Sequence, residues 1–554
     1  MAMDARYAIS IVLNARLPFV RKFTAPVRRL PMQELMPGDK AEHTPGGPDQ
    51  FLESAEESWF FEALSETYLP LLDMFRRLED SHVPFRLGFS LSPVFAQMLS
   101  DELLHKKYIA YLDNQIEFGK QELERVKSNP EMHLLAKRCF DQVVEQRASF
   151  ASRYEGNIVR AFDYYQHKGN IEFLATTAIP AFLPFLCPYP ESVQAQIEVA
   201  LAYYRYSLGI TPQGFWLPEL GWVRELGPIL RSYGFTYTIT DSHGFVFGSP
   251  PPSRGTFYPA KTPKGLFILG RDFHATADIA AMQKKGPYRD NSRDIGYELP
   301  LAALGSFLSR DGARFSTGFK YWKAHGGNQG ELYNPDAAQE AAAEDARVFL
   351  ENCCSRLSSA ARHMQEQPLS LCALNADSFG RQWHEGPNFL EALFRRAADR
   401  RELKLMVPSD YLCHQQASSF EISTPEFSSW GKNGYAEVWL DSSNDWIYRH
   451  LNRSIERMVE LADRYSENSS LKERALNQAA REILLAQSSD WPAFLYRQEY
   501  TDYARFQLEN ALQNFTTIYE ALGSSHISAE WLTKLERRHN IFPDINYRVF
   551  RRKR

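Results

Sequence analysis

The chain has 554 residues, of which 44% are hydrophobic, 13% aromatic and 24% charged, and this composition is typical of a folded globular protein. Its length exceeds that of one ordinary domain and predicts a large barrel or sheet followed by a second unit. The formal net charge of -5 and the pI near 6.3 argue against a nucleic-acid partner held by a basic face.

The cysteines and the first apolar segment indicate the cellular compartment in which the protein is expected to fold. Six cysteines are scattered without the paired spacing of a zinc site, which favours a reducing, cytoplasmic location. Residues 7–20 are apolar but contain Asn14 and Arg16, so we predict a buried first strand rather than a signal peptide. No apolar run reaches about 18 residues, and neither a membrane span nor a membrane partner is expected.

Strands and helices are predicted to alternate through most of the chain. Residues 36–50 are rich in Gly, Pro and charge and predict a loop, and the charged residues 101–168 predict a helical insertion. Strands are predicted at residues 8–13, 85–93, 171–177, 236–240, 266–269 and 369–374, and helices at 59–72, 192–208, 226–233 and 340–367. This alternation predicts an α/β fold with a parallel sheet closed into a barrel.

The last part of the chain has a different pattern. Strand signals stop after about residue 408, and helices are predicted at residues 447–467, 471–486 and 502–522. We therefore predict a barrel domain over residues 1–412 and an α-helical C-terminal domain over residues 413–554.

Polar residues recur where the predicted strands end. They are Asn14, Arg16, Glu219, Asp241, His243, Arg271, Asp272, Asn375 and Asp377. The carboxyl ends of the strands of a parallel barrel meet on one face, where active sites form. These side chains are therefore candidates for one site.

Residues 214–222 place one carboxylate, Glu219, between Trp216 and Trp222. Pro218 stiffens the approach, and Gly221 lets the backbone turn away beneath a ligand. The two indole rings offer flat faces that suit the C–H face of a sugar ring. The alternative is a core strand end, in which Glu219 caps a helix and the tryptophans fill the interior.

Together these motifs resemble glycoside hydrolase family 57, and within it the α-1,4-glucan branching enzymes. The similar stretches are residues 13–21, 61–72, 88–93, 214–222, 241–244, 270–272, 288–290, 293–297, 379–387 and 489–492. The resemblance implies a distorted (β/α)7 barrel with an α-helical C-terminal domain. It also implies no metal or other cofactor, an α-glucan partner such as glycogen, amylose or a maltooligosaccharide, and a retaining mechanism.

In this resemblance Glu219 matches the family's nucleophile. Retaining glycosidases need a second carboxyl about 5–5.5 Å away as acid and base. The family's acid aligns with Asn375, which has no proton to deliver to a glycosidic oxygen. Asp377 lies two residues on, so it points to the same side of an extended segment and is the remaining candidate acid, unless it only supports the loop.

Other family positions are also replaced. Asn14 and Arg16 stand where the family has two histidines that hold a sugar, and residues 179–181 replace a Thr-His-Gly. Arg16 is expected to place a positive charge beside Glu219 and to form an ion pair with it.

Further candidate sugar-binding residues follow from the strand ends and the motifs. They are Asn14, Arg16, Trp216, Trp222, His243, Arg271, Asn375, Trp383, Trp430 and Trp491. For Trp430 the alternative is core packing, and for Trp491 it is a plug between domains. Two functions remain possible from the sequence. The first is an α-glucan-active protein of the branching type with Glu219 and Asp377 as catalytic residues. The second is a catalytically inactive relative that acts as a glucan-binding or regulatory protein.

Overall fold

The computed structural model describes residues 6–20, 55–304, 307–308, 312–324, 330–465, 469–524 and 526–553. The loop predicted at residues 36–50 lies outside these ranges. The strands are β1 (Tyr7–Ala15), β2 (Leu87–Leu91), β3 (Ile171–Leu174), β4 (Gly214–Phe215), β5 (Tyr237–Thr240), β6 (Ala260–Lys261), β7 (Phe267–Gly270), β8 (Leu369–Asn375) and β9 (Leu403–Leu405).

Seven of these strands form a closed parallel ring. One sheet has the order β3-β2-β1-β8 and the other the order β4-β5-β7, with β6 antiparallel on β7. A parallel bridge between Ala175 and Phe215 joins β3 to β4. The Asp272 N–H donates to the Leu371 carbonyl at 2.8 Å, which joins the end of β7 to β8. The predicted (β/α)7 barrel is therefore confirmed.

The central strand β1 explains why its sequence is a continuous apolar run. It pairs with β8 along seven residues and with β2 and β9 on its other edge. Both faces are covered, and Ile9, Val12 and Leu13 have 0% exposure. Asn14 and Arg16 thus leave the barrel at its carboxyl end.

The helices between the strands are α1 (Ser58–Ala63), α2 (Leu69–Asp80), α3 (Pro93–Met98), α4 (Glu102–Arg125), α5 (Pro130–Ala148), α6 (Ile158–His167), α7 (Leu183–Leu186), α8 (Pro190–Ser207), α9 (Leu226–Ser232), α10 (Ser242–Val246), α11 (Phe273–Lys285), α12 (Ile295–Glu298), α13 (Leu301–Leu304), α14 (Pro335–Ala360), α15 (Gly386–Ala398) and α16 (Pro408–His414). The predicted helical insertion is confirmed as α4, α5 and α6, which lie between β2 and β3. Asp101, Asn129 and Asn157 cap their first turns with side-chain oxygens, which explains where each helix begins.

The C-terminal domain is helical, as predicted. It contains α17 (Trp446–Arg464), α18 (Ser470–Ala486), α19 (Asp490–Arg497), α20 (Thr501–Ser524) and α21 (Ala529–Arg538). The boundary at residues 412/413 remains a prediction. The segment just after it runs back along the barrel, with bridges from Trp222 to Ser428 and from Ser249 to Thr424. This path carries residue 430 to the mouth of the barrel.

The remaining predictions of element bounds need small corrections. The helix predicted at residues 340–367 begins at Pro335, because Asn334 caps it, and ends at Ala360. The helix α11 was not predicted; Asp272 caps its first turn. All six cysteines are free, and within the described ranges no helix has the length and apolar character needed to cross a bilayer.

Candidate active site

Two asparagines stand at the carboxyl ends of neighbouring strands. Asn14 and Asn375 are register partners across β1 and β8. The Asn14 Nδ2 donates to the Asn375 Oδ1 at 2.9 Å. The amide of Asn375, which the resemblance predicts to stand at the position of the family's acid, is therefore already hydrogen-bonded to a second amide.

Glu219 sits in a tight turn, Pro218–Leu220, just beyond β4. Its φ is 58° and that of Leu220 is 49°, so two consecutive residues with side chains adopt the left-handed conformation. Such conformations cost free energy and are found where surrounding contacts impose them, often at functional sites. One such contact comes from the segment that follows the barrel: the backbone N–H of Trp430 donates to the Glu219 carbonyl at 3.0 Å.

Both carboxylate oxygens of Glu219 have partners. Oε1 accepts from the Ser489 hydroxyl at 2.9 Å and lies 3.1 Å from an Arg16 guanidinium nitrogen. Oε2 accepts from the Trp430 indole N–H at 2.7 Å. The side chain of Glu219 is 7% exposed, so these contacts replace nearly all of its hydration.

Arg16 joins two carboxylates. Besides Glu219, its guanidinium donates to Asp490 Oδ1 at 2.8 Å. Burial lowers the pKa of Arg16, but the negative charges of Asp490, Glu219 and Asp377 outweigh burial and raise it above its usual value. Arg16 is thus fixed as a cation, and its predicted ion pair with Glu219 is present.

A cavity of about 590 Å³ opens beside these groups, and its size falls within the usual range of about 300–1,000 Å³ for ligand sites. The polar residues that line it include Asn14, Arg16, Asn375, Asp377 and Asp490. Glu219 is not among the described residues that line this cavity. Its carboxylate is connected to the cavity through the ion pair with Arg16.

Asp377 faces the same cavity as Asn375, from the short turn Ala376–Phe379. Its Oδ2 accepts from Arg381 at 3.2 Å and from Gln382 at 3.1 Å. Its Oδ1 is buried and has no hydrogen-bond partner among the described residues. One oxygen is thus engaged in local contacts, and the other is buried without a hydrogen-bond partner among the described residues.

Arg271 and His243 contact protein groups rather than the cavity. Arg271 donates two hydrogen bonds to Asp241, at 3.1 and 2.7 Å, so its partner is Asp241 and not the adjacent Asp272. Its guanidinium also lies over the Trp430 ring at 5.9 Å. His243 Nε2 is 2.7 Å from the Gly434 carbonyl. Both residues support the segment that carries Trp430.

The structure corrects the prediction of sugar-stacking faces for most tryptophans. Trp216, Trp222, Trp383 and Trp491 are at most 2% exposed, so they offer no surface to a ligand in this structure. Trp222 donates to the Pro425 carbonyl at 3.0 Å, and Trp491 donates to the Leu485 carbonyl at 2.8 Å.

The other two buried tryptophans have aromatic neighbours. Trp383 packs at 5.0 Å from Phe389, and Trp216 lies 5.6 Å from Trp430. Core packing therefore accounts for all four buried rings. Trp430, which is partly exposed, is the one of the five that contacts Glu219 directly.

Two site residues were missed by the sequence reasoning, Ser489 and Asp490. The Ser489 N–H donates to the Pro180 carbonyl at 2.7 Å, which places the start of α19 at the barrel mouth. The motif at residues 489–492 could have drawn attention to these two residues, but the local sequence does not predict that they contact Glu219 and Arg16. Within the described residues, no group of three or more His, Cys, Asp or Glu side chains is arranged to hold a metal ion.

The closed ring of parallel strands and the carboxylates at its mouth define a barrel of the glycoside hydrolase type. Residues 42–422 match the sequence profile described as glycosyl hydrolase family 57, and residues 450–550 match the profile of the 1,4-alpha-glucan branching enzyme C-terminal region. The chain belongs to glycoside hydrolase family 57.

Individual relatives agree with this assignment. The chain is 27% identical over 517 residues to the 1,4-alpha-glucan branching enzyme TK1436 of Thermococcus kodakarensis, covering 88% of this chain and 74% of that protein. The alpha-amylase AmyC of Thermotoga maritima is 34% identical, with a TM-score of 0.86 over 99% of this chain and 100% of that one. The branching enzyme of Pyrococcus horikoshii shares the fold, with 24% identity and a TM-score of 0.83 over 99% and 97% of the two chains.

Proposed function

We propose that this chain binds α-glucan in the cavity beside Arg16 and Asn375 and that its glucan-transfer chemistry is blocked. Similarity in sequence to a 1,4-alpha-glucan branching enzyme, and in sequence and fold to an alpha-amylase, supports an α-glucan ligand. A cytoplasmic location, expected from the cysteines, fits a protein that meets glycogen or a maltooligosaccharide.

One observation carries the loss of chemistry: Glu219 is paired with Arg16 at 3.1 Å while an amide, Asn375, occupies the position of the acid. A nucleophile attacks through an oxygen that faces the sugar. Both oxygens of Glu219 are instead held by Arg16, Ser489 and Trp430. Loss of a general acid alone costs about 10²–10⁴-fold in rate.

The test compares binding with catalysis. Isothermal titration calorimetry with maltoheptaose is expected to give saturable binding. Incubation with amylose at high protein concentration is expected to leave the iodine colour unchanged and to produce no new branch chains on debranching. Loss of iodine colour with new branch chains would overturn the proposal, as would the absence of any glucan binding.

A restoration variant tests the cause of the block. The triple change Asn14→His, Arg16→His and Asn375→Asp returns the family's groups to three positions, and we expect measurable branching. The control adds Glu219→Gln to the same three changes and is expected to remain silent. If the folded triple variant stays inactive while binding maltoheptaose, the missing groups are not what blocks the reaction.

A second candidate function is a slow glucanotransferase that uses Asp377 as its acid. It is favoured by the position of Asp377 in the cavity and by its buried Oδ1, which has no partner among the described residues. Its mechanism requires Glu219 to leave Arg16 and attack the sugar, while Asp377 protonates the departing oxygen. Any branching by the unaltered chain would then disappear in both Glu219→Gln and Asp377→Asn.

A further inference from the structure

The lining of the cavity includes an aromatic corner, built from Trp59, Phe494 and Tyr500. The ring centroids of Trp59 and Tyr500 are 4.5 Å apart, those of Trp59 and Phe494 are 5.5 Å apart, and those of Phe494 and Tyr500 are 5.8 Å apart. Trp59 comes from α1 beside the barrel, and the other two come from α19 and the turn before α20. The corner is therefore assembled by both parts of the chain.

Tyr500 is the exposed member of this corner. It is 54% exposed, whereas Trp59 is 9% exposed and supports it from behind. The turn that presents it contains two left-handed residues with side chains, Gln498 with φ 57° and Tyr500 with φ 49°. Such conformations cost free energy and are found where surrounding contacts impose them, often at functional sites.

Polar groups surround the ring on the cavity wall. Arg381, Arg497 and Glu499 line the same cavity as Tyr500, and Arg497 and Glu499 are exposed. A glucose unit has an apolar C–H face and a rim of hydroxyls. An aromatic platform with charged donors and acceptors beside it matches both features, as ligand sites generally combine aromatic walls with a few polar groups.

We propose that Tyr500, backed by Trp59 and Phe494, is a stacking platform for a glucose unit of an α-1,4-glucan. This inference rests on the proposed glucan binding and adds a second contact point to it. Asn14, Arg16 and the platform at Tyr500 line one cavity. We therefore expect a chain of several glucose units to contact both, and maltose to bind at Asn14 and Arg16 alone.

The test is a titration of maltoheptaose and maltose into the full chain and into Tyr500→Ala. We expect Tyr500→Ala to weaken maltoheptaose binding about tenfold, the loss typical of one aromatic contact. Maltose binding is expected to change less than twofold. Tyr500→Phe keeps the ring and is expected to bind like the unaltered chain.

The matched control is Tyr206→Ala, which removes a tyrosine that is 85% exposed on α8 and does not line the cavity. It is expected to leave both affinities unchanged. Unaltered maltoheptaose affinity in folded Tyr500→Ala would overturn the platform and leave the proposed function standing. If the unaltered chain binds neither sugar, the proposed function fails and the platform fails with it.

Discussion

Arg16 is the residue on which the electrostatics of the site depend. It lies between Glu219 at 3.1 Å and Asp490 at 2.8 Å, and the side chains of both acids are less than a tenth exposed. Without it, two carboxylates would face each other with little water to screen them. The positive charge of Arg16 therefore compensates both carboxylates at the mouth of the barrel.

We predict that Arg16→Gln lowers the free energy of unfolding by about 2 kcal/mol at pH 7. Removing one partner of a buried ion pair leaves an uncompensated charge, and the 20% exposure of Arg16 moderates the cost. Urea denaturation followed by circular dichroism measures the change. The double variant Arg16→Gln with Asp490→Asn should regain part of the loss, and a change below about 0.5 kcal/mol in the single variant would contradict the prediction.

A second residue-scale prediction concerns Glu62 on α1. Burial, opposed by Lys320 and reinforced by Glu66, raises the pKa of Glu62 to about 7. Its proton is therefore bound more tightly in the folded state than in the unfolded state. The stabilisation is complete below the unfolded pKa near 4.5 and is lost as the pH rises through 7.

Glu62→Gln should remove this dependence. Between pH 5 and pH 8 the unfolding free energy of both proteins is compared. We expect the loss in the variant to be smaller than the loss in the unaltered chain by about 2 kcal/mol. Parallel urea titrations at several pH values measure it. Identical pH profiles for the two proteins would show that Glu62 does not titrate in this window.

Sequence reasoning identified part of this site. The pairing of Arg16 with Glu219 was predictable, because a cation at one strand end and an anion at another meet on one face of a barrel. The contacts of Ser489 and Asp490 were not, since they span 270 and 474 residues. The burial of Trp216 and Trp222 was left open as an alternative, because their apolar rings suit a core and a sugar site equally well.

At the scale of elements, the strands and helices with strong patterns were predictable. The apolar run at residues 8–13 predicted both the position of β1 and the burial of its two faces. The two-residue strands β4 and β6 and the three-residue β9 owe their conformation to neighbours in the sheets, so no local pattern marks them. Helix α11 buries only Ala275, Ile279 and Met282, and so narrow an apolar stripe is a weak signal.

The end of α19 yields an element-scale prediction. Gln498 follows the helix in the left-handed conformation, and its N–H caps the carbonyls of Phe494 and Leu495. Glycine adopts this conformation without a steric cost and is the preferred residue at such positions. We expect Gln498→Gly to raise the unfolding free energy by about 0.5–1 kcal/mol.

Urea denaturation measures the Gln498→Gly effect, and the adjacent Glu499→Gly is its matched control. Glu499 is not among the left-handed residues of the described chain, so glycine there only adds freedom to the unfolded state. The control should therefore be neutral or destabilising. Equal effects of the two substitutions would contradict the proposed role of the left-handed cap.

At the scale of the whole molecule, the barrel and the helical domain share their contacts. The C-terminal segment returns to the barrel, where the Phe542 N–H donates to Gln97 at 2.7 Å and Gln194 donates to the Val549 carbonyl at 2.8 Å. The start of α19 contacts the mouth of the barrel through Ser489, which donates to Glu219, and Asp490, which pairs with Arg16. Neither part completes the site alone.

We therefore predict that the two parts unfold together. Far-ultraviolet circular dichroism, which reports mainly the helices, and tryptophan fluorescence should give coincident urea transitions. Asp490→Asn removes one link at the mouth and is expected to lower the common midpoint without splitting it. Two separate transitions in the unaltered chain would show that the domains are independently stable.

The residues that contact Glu219 lie far apart in the sequence, so they are synthesised at different times. Arg16 and every barrel strand have been made by residue 405, but Trp430 and Ser489, the other two partners of the Glu219 carboxylate, emerge only later. At about 5–20 residues per second, the wait from the last strand to residue 490 is about 4–17 s. Of the three partners, Arg16 alone is present during that time, so the ion pair with Glu219 is expected to form before the hydrogen bonds from Trp430 and Ser489.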